Sequence, residues 1–338
     1  MISSKTLVSR ALRGESVEHV PNGPLAVHFC ARQAGYTIYE YSTDSKILAD
    51  SVIRYYEKFK PDAVWISADT WVMAEAVGTR LYYADPQSLP SGNPDELFVD
   101  LDQPIRCELP DPASSGRLPV LIEALKIVVD RVGREAFVVG CMDQSPFSLA
   151  CQLAGVEKVM LGMYTQPDQV RQLLDFCVEC TVLYGEAMVA AGADMLSTGD
   201  SPAGLIGADL YRQFALPAEK KLFTALQKKT GTFLSLHICG DTTHILDEMQ
   251  HSGAQVLELD HEVDLTHALD VIDSSIAIWG NVDPVGVLYN GTRELVADTR
   301  DKIMKLVKAR SRNAFVLSSG CTLAPDTPAE LLRELLRY

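Results

Sequence analysis

The residues best suited to chemistry in this 338-residue chain are His237 and Cys239, which close the apolar run Phe233-Leu-Ser-Leu-His-Ile-Cys-Gly-Asp241. Side chains alternate between the two faces of a strand, so His237 and Cys239 project to the same side, about 7 Å apart along it. They form two teeth of a metal clamp. Further on, Ala314-Phe-Val-Leu-Ser-Ser-Gly-Cys321 repeats the pattern of apolar strand, glycine and cysteine and offers a third tooth. Zinc takes thiolate and imidazole ligands tetrahedrally, and catalytic sites use three protein ligands and keep one position open. The fourth ligand, if a displaceable one exists, comes from Glu258 or Asp260, which share a strand face with each other. A thiolate-rich site suits a substrate thiol, because the metal lowers the thiol pKa and holds the sulfur as a nucleophile; the chemistry indicated is alkyl transfer to sulfur. A lone His-x-Cys is as readily a buried core pair, and the second cysteine on another strand end is what favours metal.

Eight apolar strands separated by helices are needed to position these groups. The strands read as Leu25–Phe29, 62–68, 136–140, 193–197, the run from Phe233, 255–259, 276–279 and 314–318. Helices are expected over 4–13, 44–58, 119–132, 147–162, 167–190, 208–229 with a kink at Pro217, 242–252, 265–271, 292–310 and from 327. Eight β-then-α units favour a closed (β/α)8 TIM barrel of one domain over residues 1–338, and no Gly-rich dinucleotide loop follows the first strand. The Pro-, Asp- and Ser-rich stretch 84–118 reads as an inserted loop-rich excursion. Asp69, Asp200, His237 with Cys239, Asp260, Asn281 and Cys321 all fall just past strand C-termini, the rim where this architecture builds active sites.

The balance of 30 Lys+Arg against 45 Asp+Glu, a net charge of −15, argues against nucleic acid or an anionic membrane as partner. No apolar run reaches the ~18 residues of a membrane span and the start lacks a signal-peptide core, so the expectation is a cytoplasmic protein whose eight cysteines are thiols or ligands. Cys177-Val-Glu-Cys180 lies inside a long apolar helix and reads as two core-facing residues rather than a redox motif. His28, placed within the first strand, is ambiguous. Cys30, Cys107, Cys141 and Cys151 lack a partner at metal-like spacing.

Along nearly its whole length the chain resembles the uroporphyrinogen decarboxylase superfamily. The matching stretches are Arg32-Gln-Ala-Gly35, Ser67-Ala-Asp-Thr70 with Ala74-Glu-Ala-Val-Gly78, Ser145-Pro-Phe-Ser-Leu149, Gly199-Asp-Ser-Pro202 with Leu216-Pro217, Gly280-Asn-Val-Asp-Pro284 and Ala324-Pro-Asp-Thr-Pro328. Leu236-His-Ile-Cys-Gly-Asp241 with Cys321 looks like the zinc motif of its methylcobamide:coenzyme M methyltransferase branch. The resemblance implies a (β/α)8 barrel in which zinc activates a thiol acceptor. That acceptor takes a methyl group from a methylated corrinoid (methylcobalamin) carried by a separate small protein. It implies His237, Cys239 and Cys321 as metal ligands and Asp260, Glu258 and Asp200 as candidate catalytic residues. Asp200 and Asn281 would shape the acceptor pocket; Arg32, Asp69 and Asn281 are the candidates for contact with corrinoid or acceptor. The alternatives are a metal-free uroporphyrinogen decarboxylase and a corrinoid-docking protein without turnover. Asp69 matches the decarboxylase's catalytic aspartate and Arg32 one of its substrate-binding arginines. Its pattern has another arginine where Tyr36 stands, a tyrosine near Gln152 and a histidine at Cys321. The acceptor (coenzyme M, another thiol such as homocysteine, or a folate) and the direction of transfer stay open, as does oligomeric state.

Overall fold

The computed structural model describes residues 2–93, 96–103 and 105–337. Its strands are β1 (Ala63–Ile66), a short antiparallel pair β2 (Leu81–Tyr82) and β3 (Ser91–Gly92), then β4 (Phe137–Gln144), β5 (Met195–Gly199), β6 (Phe233–Ile238), β7 (Val256–Leu259), β8 (Ala277–Val282) and β9 (Phe315–Ser319). β1 and β4 to β9 form one parallel sheet in chain order, and helices in the connections return the chain to the same end each time.

Alternation along these strands separates two cores. Val64, Ile66, Val138, Leu196, Leu234, Leu236, Leu257, Leu259, Ile278, Phe315 and Leu317 pack outward with the helices. Ala63, Trp65, Phe137, Val139, Met195, Val256, Ala277, Trp279, Ala314 and Val316 pack inward as a second cluster. Continuing the inward period toward the strand C-termini gives Ser67, Cys141, Asp143, Ser197, Ser235, His237, Glu258, Asn281 and Ser318. The barrel interior is therefore apolar at one end and polar at the other, and the polar end is where the site forms.

The eighth stave differs from the expected strand over Leu25–Phe29. Its pairing lies earlier, at a bridge between Asn22 and Leu317. Gly23 N–H donates to Leu317 O (2.9 Å), Leu317 N–H to Pro21 O (2.8 Å), and Asp62 and Ala63 N–H to Asn22 O (3.1 and 3.2 Å). The segment thus joins β9 to β1. Pro21 and Pro24 remove the donors a longer ladder needs, and His28 begins the helix His28–Ala34. Other helices are interrupted, distorted or shortened relative to their periodicity. The helix expected over 147–162 breaks at Gly155, whose φ is +86°. The helix expected over 208–229 contains a wide turn, Tyr211–Ala215, before Leu216–Thr230, and Pro217 falls in the first turn of the latter, where no N–H is needed. Over 242–252 only Thr243–Ile245 and Leu246–Met249 are helical. The excursion 84–118 is mostly irregular, apart from β3 and the start of the helix Leu118–Val132; its residues 94, 95 and 104 lie outside the described ones. Cys177 and Cys180 are buried in the helix Pro167–Ala190, as core residues.

Closure is tightest at Gly23. Its carbonyl accepts hydrogen bonds from Trp279 Nε1 (2.9 Å), Ser318 Oγ (3.0 Å) and Trp65 Nε1 (3.3 Å). A Cβ on residue 23 would lie 2.4 Å from Trp279 Cζ2. Gly23→Ala should therefore cost at least about 1–3 kcal/mol, as overpacking does. The check is urea unfolding, where the midpoint falls at constant m-value.

Candidate metal centre

His237 ends β6 opposite Glu258 of β7. Its Nδ1 lies 2.9 Å from the Glu258 backbone carbonyl, which can only accept, so the proton sits on Nδ1 and the Nε2 lone pair faces the cysteines. Nε2 is 3.2 Å from Cys239 Sγ, and Cys239 Sγ is 4.0 Å from Cys321 Sγ. A carboxylate oxygen of Asp260 joins them, and the four ligand atoms all lie within 4.8 Å of one another. Zinc bonds of about 2.0–2.3 Å at tetrahedral angles separate ligand atoms by roughly 3.3–3.8 Å, so this donor set fits zinc in chemistry, and its atoms, spread over up to 4.8 Å, would draw together around an ion.

Two glycines make the approach possible. Gly240, at φ +84°, turns the chain after Cys239 and donates its N–H to Asp260 Oδ2 (2.9 Å). Gly320 precedes Cys321, and a Cβ there would lie 2.3 Å from His261 N. Without metal, the protons redistribute among the ligands. A hydrogen bond from Cys321, with His237 as a second partner, pulls the Cys239 thiol down to about 4 against the effect of burial. That same hydrogen bond to Cys239, then burial and the Cys239 charge, push Cys321 up. Burial works against a charged His237, yet Cys239 and Glu258 together hold it at about 9. Metal binding would expel these protons.

The remaining expected site residues divide by position. Asp260 is tied by its neighbours: besides Gly240, the Glu262 N–H (3.0 Å) and His261 Nδ1 (2.7 Å) meet its Oδ1. Glu258 is buried deeper; Ser235 Oγ donates to its Oε1, while Oε2 has no partner. Asn281 Nδ2 donates to the carbonyls of Asp260 (3.0 Å) and Val263 (2.9 Å), so it braces the loop that carries Asp260. Asp200 is fully buried, accepts from Ser148 N–H (2.7 Å) and faces Glu219. Arg32 sits on the surface in an ion pair with Asp326 (2.8 Å).

A cavity of about 310 Å³ opens beside the ligands. His237, Cys239, Cys321 and Glu258 form one part of its wall; His28, Ser67, Asp69, Cys141 and Asp143 form another. Asp200, Arg32, Asp260 and Asn281 do not line it. Asp69 is held by a buried Arg117, whose Nη1 and Nη2 reach its two oxygens at 2.5 and 3.1 Å, while Arg117 Nε meets Glu75 at 2.5 Å. Sequence reasoning missed Arg117 and Asp143. Asp143 was reachable by extending the inward period Phe137, Val139, Cys141, whereas Arg117 lies in the irregular excursion, where periodicity carries no signal.

Residues 3–338 match the uroporphyrinogen decarboxylase (URO-D) family model. The methylcobamide:CoM methyltransferase MtbA of Methanosarcina acetivorans is 36% identical over 226 residues, which span 66% of this chain and 63% of that relative, just under two thirds of its length. The protein of the same name from Methanosarcina mazei is 33% identical over 279 residues, 81% of this chain and 78% of its own. The solved structure of a methyltransferase from Methanosarcina mazei superposes with a TM-score of 0.88 at 27% identity, covering 99% of this chain and 98% of that one.

Two outcomes test this geometry. Gly320→Ala should weaken zinc binding about tenfold or more by displacing Cys321, with far-ultraviolet dichroism unchanged; competition with a chromophoric chelator measures it. The buried Asp200–Glu219 pair predicts a pH effect. Burial pushes Asp200 up to about 6 and, with Asp200 beside it, raises Glu219 well above the usual range. The folded state then binds protons that the unfolded chain releases near pH ~4, so these groups cost stability as pH rises from there through about 6. Glu219→Gln should flatten the decline in unfolding free energy between pH 5 and pH 8, seen in urea titrations.

Proposed function

The chain belongs to the uroporphyrinogen decarboxylase family, and on that premise we propose that it is a zinc-dependent, corrinoid-dependent methyltransferase. It moves a methyl group between a corrinoid on a small partner protein and a small thiol. The observation that carries this reading is the meeting of Cys321 with His237 and Cys239 on the wall of one cavity. His237, Cys239 and Cys321 would hold the metal, with Asp260 as the fourth donor within reach. When bound, zinc lowers the pKa of a thiol and keeps it as thiolate at neutral pH.

The chain's own residues supply the rest. The Glu258 carbonyl fixes the His237 ring so that Nε2 points at the ligand group. Asp260 is held by three N–H groups and stays where Gly240 and His261 place it. The thiol proton has to leave, and Glu258, with a free oxygen in the cavity wall, is placed to receive it. A volume of about 310 Å³ is at the small end for ligand pockets, which suits a small acceptor and leaves a corrinoid to meet the mouth from outside. The decarboxylase reading needs cationic groups around a polycarboxylate. Tyr36, at the position of one expected arginine, instead has its hydroxyl on Asp50. Among the described residues no helix is long and apolar enough to cross a membrane.

Purified protein should carry about one zinc per chain. Cys321→Ala should lose zinc and slow methyl transfer from methylcobalamin to thiols by at least about 100-fold. Metal analysis and the absorbance of released cob(I)alamin on the same sample decide it. A variant that keeps both metal and activity removes the mechanism; chelator-insensitive carboxylate loss from uroporphyrinogen would establish the decarboxylase instead.

A further inference from the structure

Three polar atoms in the cavity wall have no hydrogen-bond partner: His28 Nε2, Asp143 Oδ2 and Glu258 Oε2. Their residues are 8%, 6% and 2% exposed, so bulk water does not satisfy them freely. The His28 ring bonds the Ala68 backbone through its other nitrogen, and a carbonyl there leaves the lone pair on Nε2. The carboxylate oxygens accept when ionised. Hydroxyls of Ser67, Thr70, Ser197, Ser201 and Thr322 and the Gln144 amide also line the cavity, yet these three atoms stay without a donor.

Charge runs the same way. Among the described residues, no lysine or arginine lines the cavity. Arg117 is behind it and already committed to Asp69 and Glu75. Arg32 is outside and paired with Asp326. Two thiolates at Cys239 and Cys321 would cancel the charge of a divalent ion, so a loaded metal centre does not make the wall cationic. Burial, and then the charge of Asp69, press Asp143 toward its protonated form, and a cation brought beside it would favour the ionised, accepting form.

We propose that the end of the acceptor remote from its sulfur is an N–H donor of ammonium type, received by Asp143 and His28, and that a sulfonate is disfavoured. This rests on the thiol methyltransferase reading and gives the acceptor a class: a small aminothiol rather than an anionic thiol such as coenzyme M. An ammonium brings three donors and a positive charge to these unpartnered atoms. A sulfonate brings only acceptors and a like charge.

The test compares 2-aminoethanethiol, 2-mercaptoethanol and 2-mercaptoethanesulfonate on zinc-loaded protein. Binding is measured by calorimetry and methyl acceptance from methylcobalamin on the same samples. The aminothiol should bind at least about tenfold tighter than the sulfonate. Asp143→Asn should shrink the aminothiol-to-mercaptoethanol affinity ratio about tenfold, and His28→Gln should shrink it less. Asp143 has φ +63°, a conformation that asparagine adopts readily, so Asp143→Asn keeps the backbone, and His28→Gln is an independent second probe. A sulfonate that binds as tightly as the aminothiol, or a ratio unmoved by both variants, overturns the subsite. An ammonium preference in binding without methylation of any thiol supports the subsite and overturns the methyltransferase reading.

Discussion

Everything at the mouth of this barrel depends on closing the sheet at the other end, and the closure rests on one carbonyl. Gly23 O takes hydrogens from Trp65, Trp279 and Ser318, side chains of or beside β1, β8 and β9. The flanking backbone pairs with Leu317 on one side and with Asp62 and Ala63 on the other. Without that short stave the sheet would have two open edges and Cys321 no fixed place relative to Cys239. A buried carbonyl with three donors is also well satisfied, so the junction needs no water. Glycine is required because the Trp279 ring occupies the space of a Cβ.

From that closure follows the polarity gradient inside. The inward residues near the strand starts are Ala63, Phe137, Met195, Val256 and Ala277; two to four residues later the same faces show Ser67, Cys141, Ser197, Glu258 and Asn281. The apolar half supplies packing, and the polar half would be costly unless each group had a partner. Most do: Ser235 holds Glu258, Asn281 holds the carbonyls of Asp260 and Val263, and Arg117 holds Asp69. Three exceptions, on His28, Asp143 and Glu258, lie on the cavity wall, and others, such as Asp200 Oδ2 and Glu219 Oε1, lie away from it. Those on the cavity wall are within reach of a ligand that could complete the bonding.

The periodicity of two made most of this readable beforehand. It placed seven parallel strands, put His237 and Cys239 on one face and carried Cys321 to the same rim, because local alternation decides facing wherever one side is buried. It misplaced the first strand, since Leu25–Phe29 is apolar but the prolines at 21 and 24 limit pairing to residues around Asn22. It joined two helices across Gly155 and did not register the wide turn inside the continuous helix 207–230, because apolar spacing continues through both. Side-chain roles that depend on distant partners were the hardest to read. Asp200, at a strand end, turned to Ser148 and Glu219, and Arg32 turned to Asp326, contacts that no local pattern encodes.

The Asp69–Arg117 pair shows why fold-level residues and ligand-level residues need separating. A carboxylate at a barrel mouth invites a catalytic role, yet both oxygens of Asp69 are engaged by a guanidinium that is itself buried and shared with Glu75. Stripping water from such a pair costs several kcal/mol per ion, which the mutual attraction only roughly offsets, so its value lies in fixing one arrangement rather than in net stability. The arrangement it fixes joins the loop after β1 to the start of the helix Leu118–Val132 across the excursion. Its two carboxylates also engage the positive charge of Arg117, which is therefore not free to face the cavity. The same scaffold that brings His237, Cys239, Asp260 and Cys321 together thus leaves the wall beside them, among the described residues, without a lysine or arginine.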